Sequence, residues 1–304
     1  MNVRSCITAV ICCAAIGCGR RMREDSDAFH WEDRLPAGAT IHLRNTDGGI
    51  EVNATDEEVA RVTGSTRWSH GRGDAVGFLF TRRGRDVYVC AVWGRNGRCD
   101  ESGYRSTKPG RSWLDMFSLF RRRSDVVAHF SVEVPRGVRV DASTVTGGVQ
   151  VEGATAGVTA TTTNGGISIE SSAGPMVAKS TNGDVEVSLD SLGSDDALRL
   201  ETVNGSVVAE VPANVEGEVR ITTTNGRART DFALGDSASS SNRSIRGRIG
   251  NSSREIVLRS TNGSVSLRKR DSSESDADEP SVSEPTPPRE PTPPARPARP
   301  RRRA

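Results

Sequence analysis

The sequence predicts an all-β chain: a right-handed parallel β-solenoid with Asn and Thr ladders at its corners, followed by a disordered C-terminal tail. Three observations predict it. The 304 residues include 31 glycines but only 4% aromatics, a balance that suits stacked strands better than a large aromatic core. A Thr-Asn-Gly triplet, or a near relative, recurs along most of the chain. On both sides of each triplet apolar residues alternate with period two, the mark of a strand with one buried face.

Taken in order, the first element is a targeting segment. Met1 to Arg4 is a short positive stretch, Cys6 to Ile16 an apolar run of 11 residues, too short to span a bilayer and of signal-peptide length. The tetrad Ala15-Ile16-Gly17-Cys18 resembles the lipobox of bacterial lipoproteins, with Ala15 in place of the usual Leu. That resemblance implies a signal peptide over 1–17, a lipidated Cys18, and residues 18–27 as an anchor linker. The membrane is then a partner through the N-terminal lipid, since acyl chains bind at about 0.8 kcal/mol per buried CH₂.

With Cys6, Cys12 and Cys13 removed and Cys18 used by lipid, Cys90 and Cys99 are the remaining two of six cysteines. They flank a turn containing Gly94, Asn96 and Gly97, which predicts a local disulfide in an exported chain. No metal spacing is present, so neither a metal nor a cofactor is expected. Twelve of the 13 aromatics precede residue 131, and Phe29, Trp31, Trp68, Phe78, Phe80, Tyr88 and Trp93 are expected to close the first rungs against open edges. Residues 94–125 read as an inserted loop. Within it Trp113, Met116, Phe117 and Phe120 fall at helical spacing behind Ser112, a short amphipathic helix.

The repeat itself aligns on one column: Asp47, Thr146, Asn164, Asn182, Asn204, Asn225 and Asn262. From Thr146 the successive steps are 18, 18, 22, 21 and 37 residues. The last step reads as two rungs, one degenerate near Asn242 to Ile249; the first, 99 residues, has room for about five rungs or a long inserted loop. Six and four positions before the column stand apolar residues such as Val158 and Ala160, and three and five after it Ile167 and Ile169. The column and the Ser or Thr two positions before it (Thr144, Thr162, Ser180, Thr202) are expected to point inward at the bend. Stacked about 4.8 Å apart, their amides would bond as ladders. Asn-Gly also suits a hairpin array, but a meander has no reason to keep the same residue types at the same offsets.

These residues resemble a known family. The Thr-Asn-Gly-Gly-Ile/Asp-Val repeats, the segment Val132-Glu133-Val134-Pro135-Arg136-Gly137-Val138 and the closing Gly247-Arg248-Ile249-Gly250 are similar to the bacterial adhesin-like family of unknown function DUF4097, over roughly residues 28–269. The resemblance implies an exported or membrane-anchored right-handed parallel solenoid and carries over no catalytic residue. The domains are then a β-solenoid over 28–270 and, from Asp271 to Ala304, an acidic then Pro/Arg-rich tail expected to be disordered.

The function expected is a non-catalytic cell-envelope lipoprotein presenting a binding, adhesion or scaffold surface, on the exported side of a membrane. Its partner would be an envelope macromolecule, protein or polysaccharide, met through outward rows such as Lys179, Glu201 and Arg259 beside Thr161 and Thr222. A net charge of +2 argues against nucleic acid. A polysaccharide-active β-helix enzyme and an envelope partner of a regulatory membrane protein are the alternatives. Asp195-Asp196 reads as a solvated turn, and Arg72-Gly73-Asp74 as a chance triplet.

Overall fold

Alternation on both sides of a Gly corner gives each rung two strands that bury the same side, so the rungs stack into two facing sheets with an aliphatic interior. The structure, a computed structural model, describes residues 23–69, 76–93, 97–100, 103–106, 126–171, 173–193, 196–235 and 238–270. The signal segment with Cys18, the helix expected over 112–123 and the tail lie outside the described residues, as do Asp195 and the Arg72–Asp74 triplet.

Among the described residues seven rungs are formed. The first is β2 (Thr40–Arg44) and β3 (Ile50–Thr55). Three follow as β10 (Arg139–Thr146) with β11 (Val149–Ala154), β12 (Val158–Asn164) with β13 (Ile167–Ser171), and β14 (Met176–Asn182) with β15 (Val185–Leu189). The rest are β16 (Leu198–Asn204) with β17 (Val207–Val211), β18 (Gly217–Asn225) with β19 (Ala228–Thr230), and β22 (Glu255–Asn262) with β23 (Val265–Lys269). All rung-to-rung pairings are parallel, for example Ile167 against Val185 and Ala160 against Ala178, with one register shift between Glu152 and Ala154 where β11 meets β13. Inside, rows such as Ile50, Val149, Ile167, Val185, Val207 and Val265 are buried. Each such side chain contributes about 1.5–3 kcal/mol by leaving water.

The first rung stacks directly on the second, Ile41 against Val140 and Ile50 against Val149. The 99-residue step is therefore an insertion and adds no rungs. It supplies β4 (Val59–Trp68) and β9 (Val127–Pro135), which with β1 (Arg23–Arg34) extend one sheet, and the antiparallel pair β5 (Val76–Arg83) and β6 (Asp86–Trp93), which extends the other. Phe29 stacks on Phe78 (5.3 Å between centroids), Trp31 on Phe80 (5.0 Å), and Phe78 meets Phe130 edge-on. These rings close the open end. Tyr88 does something else: it faces outward from β6 and packs with Cys90, Val92, Cys99 and Leu79 in a second cluster.

The 37-residue step also departs from expectation. In both sheets the last rung of the chain, β22 and β23, lies between β16/β17 and β18/β19. Asn242 to Ile249 forms no rung; β20 (Ser239–Ser240) and β21 (Ser244–Ile249) run antiparallel along β18 at the edge. The physical reason is apolar content. Within β21 only Ile245 is buried, whereas β22 and β23 bury Ile256, Leu258, Val265 and Leu267. Buried Arg254, at the entrance to β22, donates to the carbonyls of Leu192 and Glu216, both at 2.9 Å, and so ties the inserted rung to loops outside it.

At the corners three ladders run side by side. Inner hydroxyls donate to a glycine carbonyl of the adjoining rung: Thr162 to Gly147 (2.9 Å), Ser180 to Gly165 (2.9 Å), Thr202 to Gly183 (2.8 Å). Backbone N–H groups of Gly165 and Gly183 donate to the carbonyls of Asn182 and Asn204. Outside these, Asn182 donates to Asn164 (2.8 Å), Asn204 to Asn182 (2.7 Å), Asn262 to Asn204 (2.7 Å) and Asn225 to Asn262 (2.8 Å). The burial expected of the column is thus corrected: all five asparagines and Thr146 are exposed and Asp47 is half-buried. The bend turns the column to solvent and leaves only the Ser/Thr hydroxyls inside. At Gly183 the glycine is required twice, by φ of 151° and because a Cβ would lie 2.1 Å from the Gly165 carbonyl oxygen.

Candidate binding groove

The residue following each corner glycine changes along the stack. In the first three rungs it is a second glycine, Gly49, Gly148 and Gly166; in the others it is Asp184, Ser206, Ser264 or Arg227. Unlike Gly183, these second glycines have ordinary backbone angles, so the fold does not demand them. Their effect is to leave three neighbouring rungs without side chains. A groove of about 700 Å³ lies there, on the outer face of the sheet that contains β1, β4, β9, β3, β11 and β13.

Strand alternation points polar groups into this groove. Glu24 comes from β1, Ser65 and Arg67 from β4, His129 from β9, Gln150 from β11 and Ser168 from β13. Arg67 Nε donates to Glu24 at 2.9 Å, and the Gly49 N–H donates to His129 Nδ1 at 3.3 Å. Burial, helped by the Arg67 charge, pushes the imidazole below its ordinary pKa against the pull of Glu24 and Asp47. His129 is therefore neutral, with its proton on Nε2. Burial conversely raises the Asp47 carboxyl, with His129 partly opposing.

A second polar cluster sits on the outer face of the other sheet. Asp141 accepts from Arg44 at 2.9 and 2.6 Å and pairs with His42 Nδ1 at 2.7 Å, while the His42 ring stacks on Tyr88 at 4.2 Å. Burial alone would raise the Asp141 carboxyl, but the hydrogen bonds from His42 and Arg44 win and hold it below its usual range. On that face Arg44, Ser143, Thr161, Lys179, Glu201, Arg259 and Thr222 form one continuous row in register. The outward residues expected to form a surface are thus brought together, with Lys179 3.3 Å from Glu201.

Cys90 and Cys99 are joined as a disulfide with Cα atoms 5.8 Å apart, pinning β6 to β7 (Gly97–Asp100). Among the described residues no group of three or more His, Cys, Asp or Glu side chains is placed to hold a metal. The groove was missed by sequence reasoning, although the switch from Gly-Gly to Gly-Asp and Gly-Ser was there to find. The His42–Asp141 pair had a signal too, since both stand five positions before the Asn column.

Stacked rungs with Asn-Gly corners over this stretch coincide with a family match: residues 125–268 match the Toastrack family DUF4097. Over these residues the chain is similar to a Toastrack domain. Its first matched strand is β9, so the first rung and the β1, β4, β5 and β6 strands precede the matched Toastrack stretch. No curated protein matches the chain. A "putative cell adhesion protein" from Clostridium sporogenes ATCC 15579 is similar at 9% identity and a TM-score of 0.45, covering 82% of this chain and all of that one. A "putative adhesin" from Bacteroides fragilis NCTC 9343 is similar at 8% identity and a TM-score of 0.25, covering 83% of this chain and 98% of that one.

Proposed function

We propose that this chain is a non-catalytic cell-envelope lipoprotein, held to a membrane by lipid on Cys18, whose Toastrack solenoid presents a binding surface to another envelope macromolecule. The observation that carries the reading is the groove: a wide trench of mixed polar and apolar lining on a rigid sheet face, with hydrogen-bonding groups rather than a reactive constellation along it. Its carboxylates are engaged, Glu24 with Arg67 and Glu51 with Asn53, as suits groups that position a ligand. Rungs stacked in register give a long rigid face for an extended partner.

The test is co-sedimentation of the exported chain with purified envelope fractions, followed by analysis of the supernatant. Saturable binding without released fragments is expected. Release of oligosaccharide that disappears in Glu24→Gln or Glu51→Gln would favour the enzyme instead. The anchor is checked separately: a palmitate analogue should label the wild type, and label persisting in Cys18→Ser would refute lipidation there.

A further inference from the structure

We propose that the glycine-floored groove is a site for a neutral oligosaccharide; this rests on reading the chain as a binding protein and names the ligand class. The first argument is steric. A Cβ at Gly49, Gly148 or Gly166 would meet nothing closer than 3.2 Å, whereas one at the preceding Gly165 would fall 2.0 Å from a carbonyl oxygen. Side chains fit at this position and occur there in the other rungs, so the three glycines open space that the fold itself does not need. The opening spans three rungs, about 10 Å from first to third at the usual strand spacing, and its roughly 700 Å³ lies within the range of small-ligand sites.

The second argument is what the groove can bond. Its floor is the face of a sheet whose backbone is already spent: Ile50 N–H donates to the Gly148 carbonyl, Val149 to Gly166 and Ile167 to Asp184. An extended peptide therefore finds no edge to join as a further strand. Recognition falls to side chains, and these alternate donors and acceptors at short intervals: the Ser65, Ser131 and Ser168 hydroxyls, the Gln150 amide, the Glu51 carboxylate and the His129 Nε2–H, which has no partner among the described residues. Gln150 donates to Glu152 at 2.7 Å, which turns its carbonyl oxygen free to accept. Closely spaced groups of both kinds match vicinal hydroxyls, each of which donates and accepts.

The third argument is charge. Glu24 and Glu51 stand against one guanidinium, Arg67, with His129 neutral. That balance disfavours a polyanion, nucleic acid or acidic glycan alike.

The full exported chain is applied to an array of neutral and acidic oligosaccharides, and the bound species are titrated calorimetrically. At least one neutral glycan is expected to bind, with affinity falling about tenfold or more in Gly166→Asp, which copies Asp184, and in Gln150→Ala. Ser264→Gly, outside the groove, should bind as wild type, and unchanged thermal melting of Gly166→Asp would show the fold intact. The proposal is overturned if no neutral glycan binds, if acidic glycans bind better, or if Gly166→Asp leaves affinity unchanged. Should it fail while envelope co-sedimentation persists, the binding-protein reading stands without this site; loss of both would end both.

Discussion

At the corner each rung spends two polar residues for different purposes. Thr202 is buried and gives its hydroxyl to the Gly183 carbonyl, while Asn204, two positions on, bonds its neighbours in the open. A buried acceptor left without its donor costs about 1–3 kcal/mol, an exposed amide bond about 1 or less. Thr202→Val, nearly isosteric, is therefore expected to destabilise more than Asn204→Ala, as read from urea unfolding midpoints; the reverse order would place the amide ladder in control of the corner. Asp141 supplies a second expectation. Its carboxyl titrates below its ordinary 3.8 in the folded chain, so its contribution is present above that pH and lost as pH falls through the folded value. Asp141→Asn should cost about 2 kcal/mol at neutral pH, by stranding Arg44, and make acid unfolding less steep. An unchanged acid transition would contradict this.

Strand alternation was legible in the sequence because period two survives any stacking order: Val185 and Val187 declare their burial locally. The direction of the Asn side chains was not, since Ser180 and Asn182 have the same parity on paper and the bend at Gly183 separates them in space. Rung order was hidden for a related reason. Asn204 finds an equal partner in Asn225 or Asn262, so local chemistry cannot choose between them. What decided was the apolar content of β22 against β21. The groove was partly legible, in its doubled glycines, but β1 contributes Glu24 from a strand that begins at Arg23, inside the stretch expected to be a linker. From this arrangement follows an expectation for the element. Removing residues 251–304 takes away an interior rung, so the truncated chain should lose cooperative unfolding of the region around β16–β19, seen as broadened circular dichroism melting. A sharp melt a few degrees lower would mean the rung behaves as a terminal one.

Across the whole molecule the regular region is bounded by unlike ends. Aromatic stacking closes one, through Phe29, Trp31, Phe78 and Phe80; the antiparallel edge of β20 and β21 closes the other. Between them each rung pairs in the sheets only with its neighbours, although Arg270 after β23 reaches past β17 to Ser188 and Glu170, so stability is close to additive along the stack apart from that link. Duplicating residues 165–182, one 18-residue step, should add a rung between β12/β13 and β14/β15 without touching either end. The lengthened chain is expected to melt within a few degrees of the original, with the larger unfolding enthalpy that added residues bring. A collapsed melting temperature would show that the ends sense the length of the middle.

The place of β22 and β23 also sets a timetable. A chain that emerges from its N-terminus presents β16 and β17, then β18 and β19, before the strands that belong between them. Zipping up in order of arrival would seal the gap too soon and shut the last rung out. The C-terminal stack must therefore wait, or reopen, until Lys269 has emerged, so for that interval the apolar faces of Leu198, Val207 and Val219 have no lasting cover. The final rung is a keystone, and the interval before it is in place is when the chain is most open to aggregation.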